Sequence, residues 1–508
     1  MFRHHRLFEI IPGATVWATL LAAVAVSFWK PLIAIAFIVV FDLLWLVRVT
    51  LYLIRLASAW RRFRVATKTD WNAKLASTPR ASAIYQLIFL PTYREEYPII
   101  RETLRGLAAA RFPRERLLVV LAGEERDHER FSLNAAAARE EFGGVFGALL
   151  VTEHPSGLPD EISGKGSNLH WAGRAALRDL VLARGLRRED VIVSAFDVDT
   201  LAHPEYFSYL TYLYCTIPDA AHASFQPIAL YNNNIWQSPA PVRLAAFGTT
   251  FWLMTDLTKS ANLITFSSHS LPLTALVDAG FWQKDVVSED SRIFLQCLNA
   301  YHGNYRVVPL YLPVSMDTVA ADGYVRSLRA LYRQVRRWAW GVENFPYLAT
   351  TFARDSIAPW SVRWRYISHV WLGSFDWATA PILIFVLGWL PMLIANATPL
   401  RTIAFVQDAP RTLQWIMTFA NVGIIASAAL SLLLVPRPGA GTSWWHKLFM
   451  LFQWLLLPIT SIFFGAIPAI DAQTRLMLGK RLGFSVTEKR RLANAPLAAP
   501  SEYVTRLH

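Results

Sequence analysis

The feature that most limits what this chain can fold into is the placement of its apolar residues. Long uncharged runs gather at the two ends, and the middle alternates short apolar stretches with charged ones. Two runs open the chain, at about 12–29 and 31–54, parted by Lys30 and Pro31. Roughly 20 apolar residues cross a bilayer, so the pair reads as a helical hairpin with both ends inside. Apolar segments return at 366–396, 415–435 and 447–470. The first of these is too long for one ordinary span and carries Asp376 near its middle. Basic residues flank the runs: Arg55, Arg61, Arg62, Arg64 and Lys68 after the hairpin, and Lys480, Arg481, Lys489, Arg490 and Arg491 after the last segment. Lys and Arg accumulate on the inner side of membranes. Three C-terminal spans would put the basic tail outside and four keep it inside, so four are expected.

The net charge of +13 follows from the same bias. It belongs to a lipid bilayer surface, and no nucleic-acid partner is expected. Only 17% of residues are charged, against about 25% in soluble domains. The two cysteines, Cys215 and Cys297, make no metal-binding spacing. They read as small buried hydrophobes and place the middle of the chain on a reducing, cytosolic side.

From about 65 to 345, strand candidates lie at 83–90, 116–122, 145–152 and 190–196, with helix candidates at 95–110, 125–141 and 166–184. Such βαβα alternation implies a parallel sheet with helices on both faces. Ligands of these sheets sit beyond the carboxyl ends of the strands, so chemistry is sought there.

The strand at 190–196 runs into Asp197-Val198-Asp199. In an extended chain residues i and i+2 point the same way, and two carboxylates on one face form a hard-oxygen site for Mg²⁺ or Mn²⁺. The other reading is a capped loop. Further on, Ser288-Glu289-Asp290 precedes a helical segment. All three residues suit a helix N-terminus, and Asp290 is also placed to act as a general base. The segment 324–341, YVRSLRALYRQVRRWAWG, reads as a basic amphipathic helix at a membrane surface. Gln334, Arg337 and Trp338 share one of its faces, where an Arg suits a diphosphate and a Trp a sugar ring. The first strand ends in Pro91-Thr92-Tyr93-Arg94-Glu95-Glu96, and Gly164-Lys165-Gly166-Ser167-Asn168 opens a helix where Lys165 can meet a phosphate. His269 reads as structural or acceptor-side.

In this order, PTYREE, GKGSN, DVD, SED and QVRRW resemble the membrane-integrated family 2 glycosyltransferases of the cellulose, mannan and hyaluronan synthase type. The likeness covers about 85–480 and includes the tail GKRLGFSVTEK. It implies an α/β fold of GT-A type, a Rossmann-like mixed sheet inserted between transmembrane helices. The layout expected is a transmembrane hairpin at 1–64, a cytosolic catalytic domain at 65–323, interfacial helices at 324–360, transmembrane helices at 361–475 and a basic tail at 476–508. It implies inverting transfer of a hexose from a nucleotide diphosphate sugar to a growing polysaccharide, in the inner or plasma membrane, with accessory export subunits as candidate partners. A single transfer to a lipid acceptor is the alternative. By position, Tyr93 and Glu95 would hold the base, Lys165 the donor, Asp197 and Asp199 the nucleotide and metal. Asp290, with Glu289, would be catalytic, Arg337 would bind the donor, and Gln334 and Trp338 the diphosphate and acceptor. One departure concerns the second strand, which ends in LAGEERD where the family has an Asp pair. Glu124 or Asp127 stands there instead, leaving a UDP-sugar and a GDP-sugar both open.

Overall fold

The computed structural model describes residues 3–355, 357–436 and 444–483. Lys489, Arg490 and Arg491, with most of the expected tail, lie outside these residues. The strands are β1 Tyr85–Pro91, β2 Leu117–Glu124, β3 Ala148–His154, β4 Val191–Ala195, β5 Leu201–Ala202, β6 Ala223–Tyr231, β7 His269–Pro272 and β8 Arg306–Met316. They form one sheet in the order β3-β2-β1-β4-β7-β6-β8-β5. β1 to β4 pair in parallel, as the alternation implies. β7 runs antiparallel to both β4 and β6, so the whole sheet is mixed.

The four leading strands fall within a few residues of their expected places because they are apolar runs; β1, β2 and β4 are buried on both faces, and β3 at the sheet edge is mostly half-buried. Leu87–Leu90, Leu118–Ala122 and Ile192–Val193 are fully enclosed. Each such side chain contributes roughly 1.5–3 kcal/mol over leaving it exposed. The later strands escaped detection for a local reason. β6 carries buried Ser224 and Gln226 beside Pro227, and β7 has only four residues. Tertiary partners satisfy these polar groups: Ser224 meets the Tyr305 hydroxyl at 2.9 Å, and Ser194 of β4 meets Ser270 of β7 at 2.7 Å.

Eight helices bear on the site and its surroundings: α1 Arg3–Trp29, α2 Pro31–Lys68, α3 Lys165–Ala176, α4 Ala240–Asp256, α5 Glu289–Ala300, α6 Tyr324–Ala339, α7 Trp360–Phe385 and α8 Ala404–Leu434. By length and composition, four helical stretches can cross a membrane: His5–Trp29, Pro31–Lys68, Ala404–Leu434 and Leu448–Met477. A fifth candidate is α7 with Leu387–Asn396, a pair bent by 47°.

The expectation of four C-terminal spans is therefore corrected to three at most among the described residues. The segment 366–396 does not make two crossings. Its second arm, Leu390–Asn396, has 7 residues, which span only about 10 Å at 1.5 Å per residue against a core of about 30 Å. Asp376 does not stand alone on its helix, for Arg48 of α2 pairs with it at 2.6 Å. Cys297 is buried as expected, whereas Cys215 is half-buried.

Candidate active site

The carboxyl ends of β1, β4 and β6 open on one side of the sheet, and three acidic side chains from two elements meet there around one cation. Lys165 stands at the first position of α3, directly after Gly164. Its Nζ lies 2.8 Å from Asp197 Oδ1, 2.9 Å from Asp290 Oδ1 and 3.3 Å from Glu289 Oε1. Burial works against the ammonium, but Asp197 and Asp290, with the Glu289 carboxyl beside them, outweigh it and leave its pKa well above the usual lysine value. Burial, with Asp290 beside it, pushes the Glu289 carboxyl up to about 8.

Asp197 and Asp199 lie beyond the end of the strand, on a turn, where they take different partners. β4 ends at Ala195, and residues 197–200 form a turn closed by Thr200 N donating to the Asp197 carbonyl at 2.9 Å. Asp197 is half-buried, faces Lys165 and accepts from Ser267 Oγ at 2.6 Å. Asp199 is fully buried and accepts the Asp317 amide at 2.8 Å, bracing the turn against β8. Among the described residues no group of three His, Cys, Asp or Glu is arranged to grip a metal ion. The chemistry of the donor set nevertheless suits a hard cation: Asp197 offers carboxylate oxygens at the point now held by an ammonium.

The Ser288-Glu289-Asp290 segment opens α5, but Ser288 does not cap it through its side chain. The acid that receives this helix is Glu343, just beyond α6. Its Oε1 accepts the Ser288 hydroxyl at 2.6 Å, the Ser288 amide at 3.0 Å and the Val287 amide at 3.1 Å, while its Oε2 accepts Trp340 Nε1 at 2.9 Å. A carboxylate there also meets the positive end of the helix dipole. Sequence reasoning missed Glu343 because its partners lie 55 residues upstream.

α6 brings the basic motif to the same cavity. Gln334 is buried, and Trp338 packs on Tyr231 and Phe266 with ring centroids 5.8 Å and 6.2 Å away. The charge of Arg337 reaches Glu289 and Tyr231. Tyr231, the last residue of β6, is a second omission. It lies within electrostatic reach of Asp197, Asp199 and Asp290, and burial raises its hydroxyl far above the ordinary value, so it stays protonated. The strand-end rule would have found it had β6 been recognised. A narrow crevice joins Tyr231, Thr318, Gln334 and Trp338. His269 is buried at the start of β7, meets the Phe266 carbonyl at 3.1 Å and lies 3.8 Å from Asp290 Oδ1.

At the β1 end, Glu95 folds back on its own turn, accepting the Tyr93 amide at 2.6 Å and the Thr92 hydroxyl at 3.0 Å. Arg126 lies 3.8 Å over the Tyr93 ring and pairs with buried Glu124 at 2.7 Å. Asp127 accepts the Arg94 amide at 2.8 Å, fixing Arg94 at a φ of 70°. Tyr93 and Glu124 are thus joined through Arg126, and Asp127 serves the turn. A cleft of about 320 Å³ between Gly303–Val307 and Val362–Tyr366 holds none of these acidic groups.

A profile described as glycosyl transferase family group 2 matches residues 192–469, more than half of the chain. The chain belongs to this family. Its acidic cluster, its basic helix and the later strands of the sheet all fall inside the matched region. The transferase thus carries a GT-A catalytic domain with apolar helices on both flanks. Among curated proteins, none matches it. Among solved structures, the mannosyltransferase PcManGT from Pyrobaculum calidifontis, in complex with GDP-Man and Mn²⁺, is 16% identical with a TM-score of 0.45, covering 88% of this chain and 100% of that one. The S. aureus TarS 1–349 structure with UDP-GlcNAc is 11% identical with a TM-score of 0.35, covering 82% and 99%.

Proposed function

We propose that this glycosyltransferase moves a hexose from a nucleotide diphosphate sugar to a growing polysaccharide at the cytosolic face of the inner or plasma membrane, with inversion at the anomeric carbon. The observation that carries the reading is the clasp of Lys165 by Asp197, Glu289 and Asp290 at the strand ends. Transfer breaks the bond from anomeric carbon to diphosphate oxygen and forms one to an acceptor oxygen. The acceptor proton needs a base, and the diphosphate needs positive charge. Asp290 is the base, and Lys165 orients its carboxylate. Glu289, uncharged at neutral pH, avoids adding a second negative charge beside it. Lys165 and Arg337 face the leaving diphosphate, and Trp338 with Gln334 forms the floor on which the acceptor sugar stacks. Tyr93 and Glu124 line the nucleobase side. A Mg²⁺ or Mn²⁺ ion held by Asp197 and the donor would neutralise the diphosphate. Asp199 holds the turn that presents Asp197.

The test is a screen of the purified full-length protein against UDP- and GDP-sugars, reading nucleotide diphosphate release and product length. A polymer from one donor supports the proposal. One sugar on a lipid would replace it with the lipid-acceptor reading, and no turnover with any donor would overturn both.

A further inference from the structure

The last apolar segment passes every compositional test for a crossing helix, yet its contacts put it elsewhere. The depth of the true crossings can be read from their far ends. α2, Leu390–Asn396 and the start of α8 share a cluster of Ile35, Ile38, Met392, Ala395, Val406 and Ala409. At 1.5 Å per residue, Arg48 lies about 26 Å along α2 from Pro31, Gly13 about 24 Å along α1 from Trp29, and Gly423 about 29 Å along α8 from Ala404. These three points mark the near side of a roughly 30 Å hydrocarbon core. Two of them are tied together laterally: a Cβ on Gly423 would sit 3.0 Å from Val49, next to Arg48.

Residues 453–477 touch the protein at this level or nearer the catalytic domain. Gln453 accepts from Arg243 of α4 at 2.7 Å, and Trp454 stacks on Phe247 and Phe251. Trp454 Nε1 also reaches Ser431, two turns past Gly423. Phe464 packs on Val242, Leu331 and Val335. A Cβ on Gly465 would lie 3.7 Å from Trp377, beside the Asp376 that pairs with Arg48. Asp471 accepts from Arg336 of α6 at 2.8 Å, and Arg6 donates to the Leu476 carbonyl at 2.9 Å. A straight helix from 453 to 471 would climb about 27 Å, a full core thickness. Here both ends instead meet α4 and α6 of the catalytic domain. Phe449, Phe452, Leu455, Ile459 and Phe463 form one exposed stripe at spacings of three and four, and Leu455 is 75% exposed. Tight and wide turns at Gln453–Leu456 and Ile462–Ala466 let the segment curve beneath the domain.

We propose that residues 448–477 lie in the plane of the bilayer surface with this stripe sunk among the lipid acyl chains. The chain then crosses four times, through α1, α2, α7 with its bent arm, and α8. Arg3 and Lys480 lie on the catalytic side, and the amphipathic α6 rests on the helix that anchors it to lipid. The even count puts Lys480 and Arg481 on the inner side, as charge bias demands.

The test has two arms on full-length protein. Nitroxides at Phe449→Cys, Leu455→Cys and Phe463→Cys, in a Cys215→Ala/Cys297→Ala background, report depth in phosphatidylcholine vesicles. Epitope tags at both ends of the otherwise unaltered chain report sidedness in oriented membranes. Three equal, shallow depths with both tags on one side are expected. A ladder of depths passing through the bilayer centre, or tags on opposite sides, would overturn the proposal.

Discussion

Lys165 Nζ sits 2.9 Å and 3.0 Å from the two carboxylate oxygens of Asp290, so the lysine at the start of one helix straddles the acid in the first turn of another. The pair joins segments 125 residues apart. Within the catalytic reading, it orients the base and holds a positive charge where diphosphate must depart.

Replacing Lys165 by Gln removes the cation that Asp197, Glu289 and Asp290 converge on. Breaking a buried pair this way costs about 3–5 kcal/mol. The loss should show as a lower thermal-unfolding midpoint and, with no cation facing the departing diphosphate, as a fall in kcat. Wild-type stability and kcat in the Gln variant would show that Lys165 holds neither the acids nor the diphosphate.

Glu289 is raised to about 8 by burial and by Asp290. It is therefore protonated at pH 7, and Glu289→Gln should keep most activity there. In the folded state the carboxyl holds its proton between its ordinary value near 4.5 and about 8, so it lowers stability progressively as pH rises through that window. The Gln variant should lose this fall, as thermal unfolding at pH 5 and pH 8 would show.

His203 is buried, and that burial, with Arg111 nearby, lowers its pKa to about 4. The folded state then binds fewer protons than the unfolded one between about 6.5 and 4. Stability is complete above pH 6.5 and is lost as pH falls, by about 2 kcal/mol at pH 5. His203→Asn, which keeps an acceptor for the Glu205 amide, should flatten that part of the unfolding curve.

Glu343 positions the acidic motif without touching the reacting atoms. Glu343→Gln leaves one acceptor oxygen for the two amides and hydroxyl of residues 287–288. It should lower kcat about 10-fold with donor KM little changed. A KM effect alone would argue against this role.

The ends of the fold and its first four strands were legible because uninterrupted apolar runs announce buried elements whatever their partners. β6 and β7 were not, since Ser224, Gln226 and Ser270 are polar residues made tolerable by hydrogen bonds that no local pattern records. The acidic and basic motifs were visible as composition. That Asp197 and Asp199 would sit on a turn with different partners was hidden, because it depends on the strand stopping at Ala195. Tyr231 and Glu343 were missed for a related reason, their importance being set by neighbours distant in sequence. The expected count of C-terminal crossings failed because it was set by the basic tail, while 366–396 is a bent pair whose second arm is too short to cross.

The central claim is that Asp290 takes the acceptor proton. The direct measurement is single-turnover sugar transfer by Asp290→Asn, alongside equilibrium binding of the donor. The account predicts intact folding and donor affinity within about 3-fold, with transfer slowed at least 10²-fold, the lower end of what a general base supplies. Transfer near the wild-type rate by the Asn variant would contradict it.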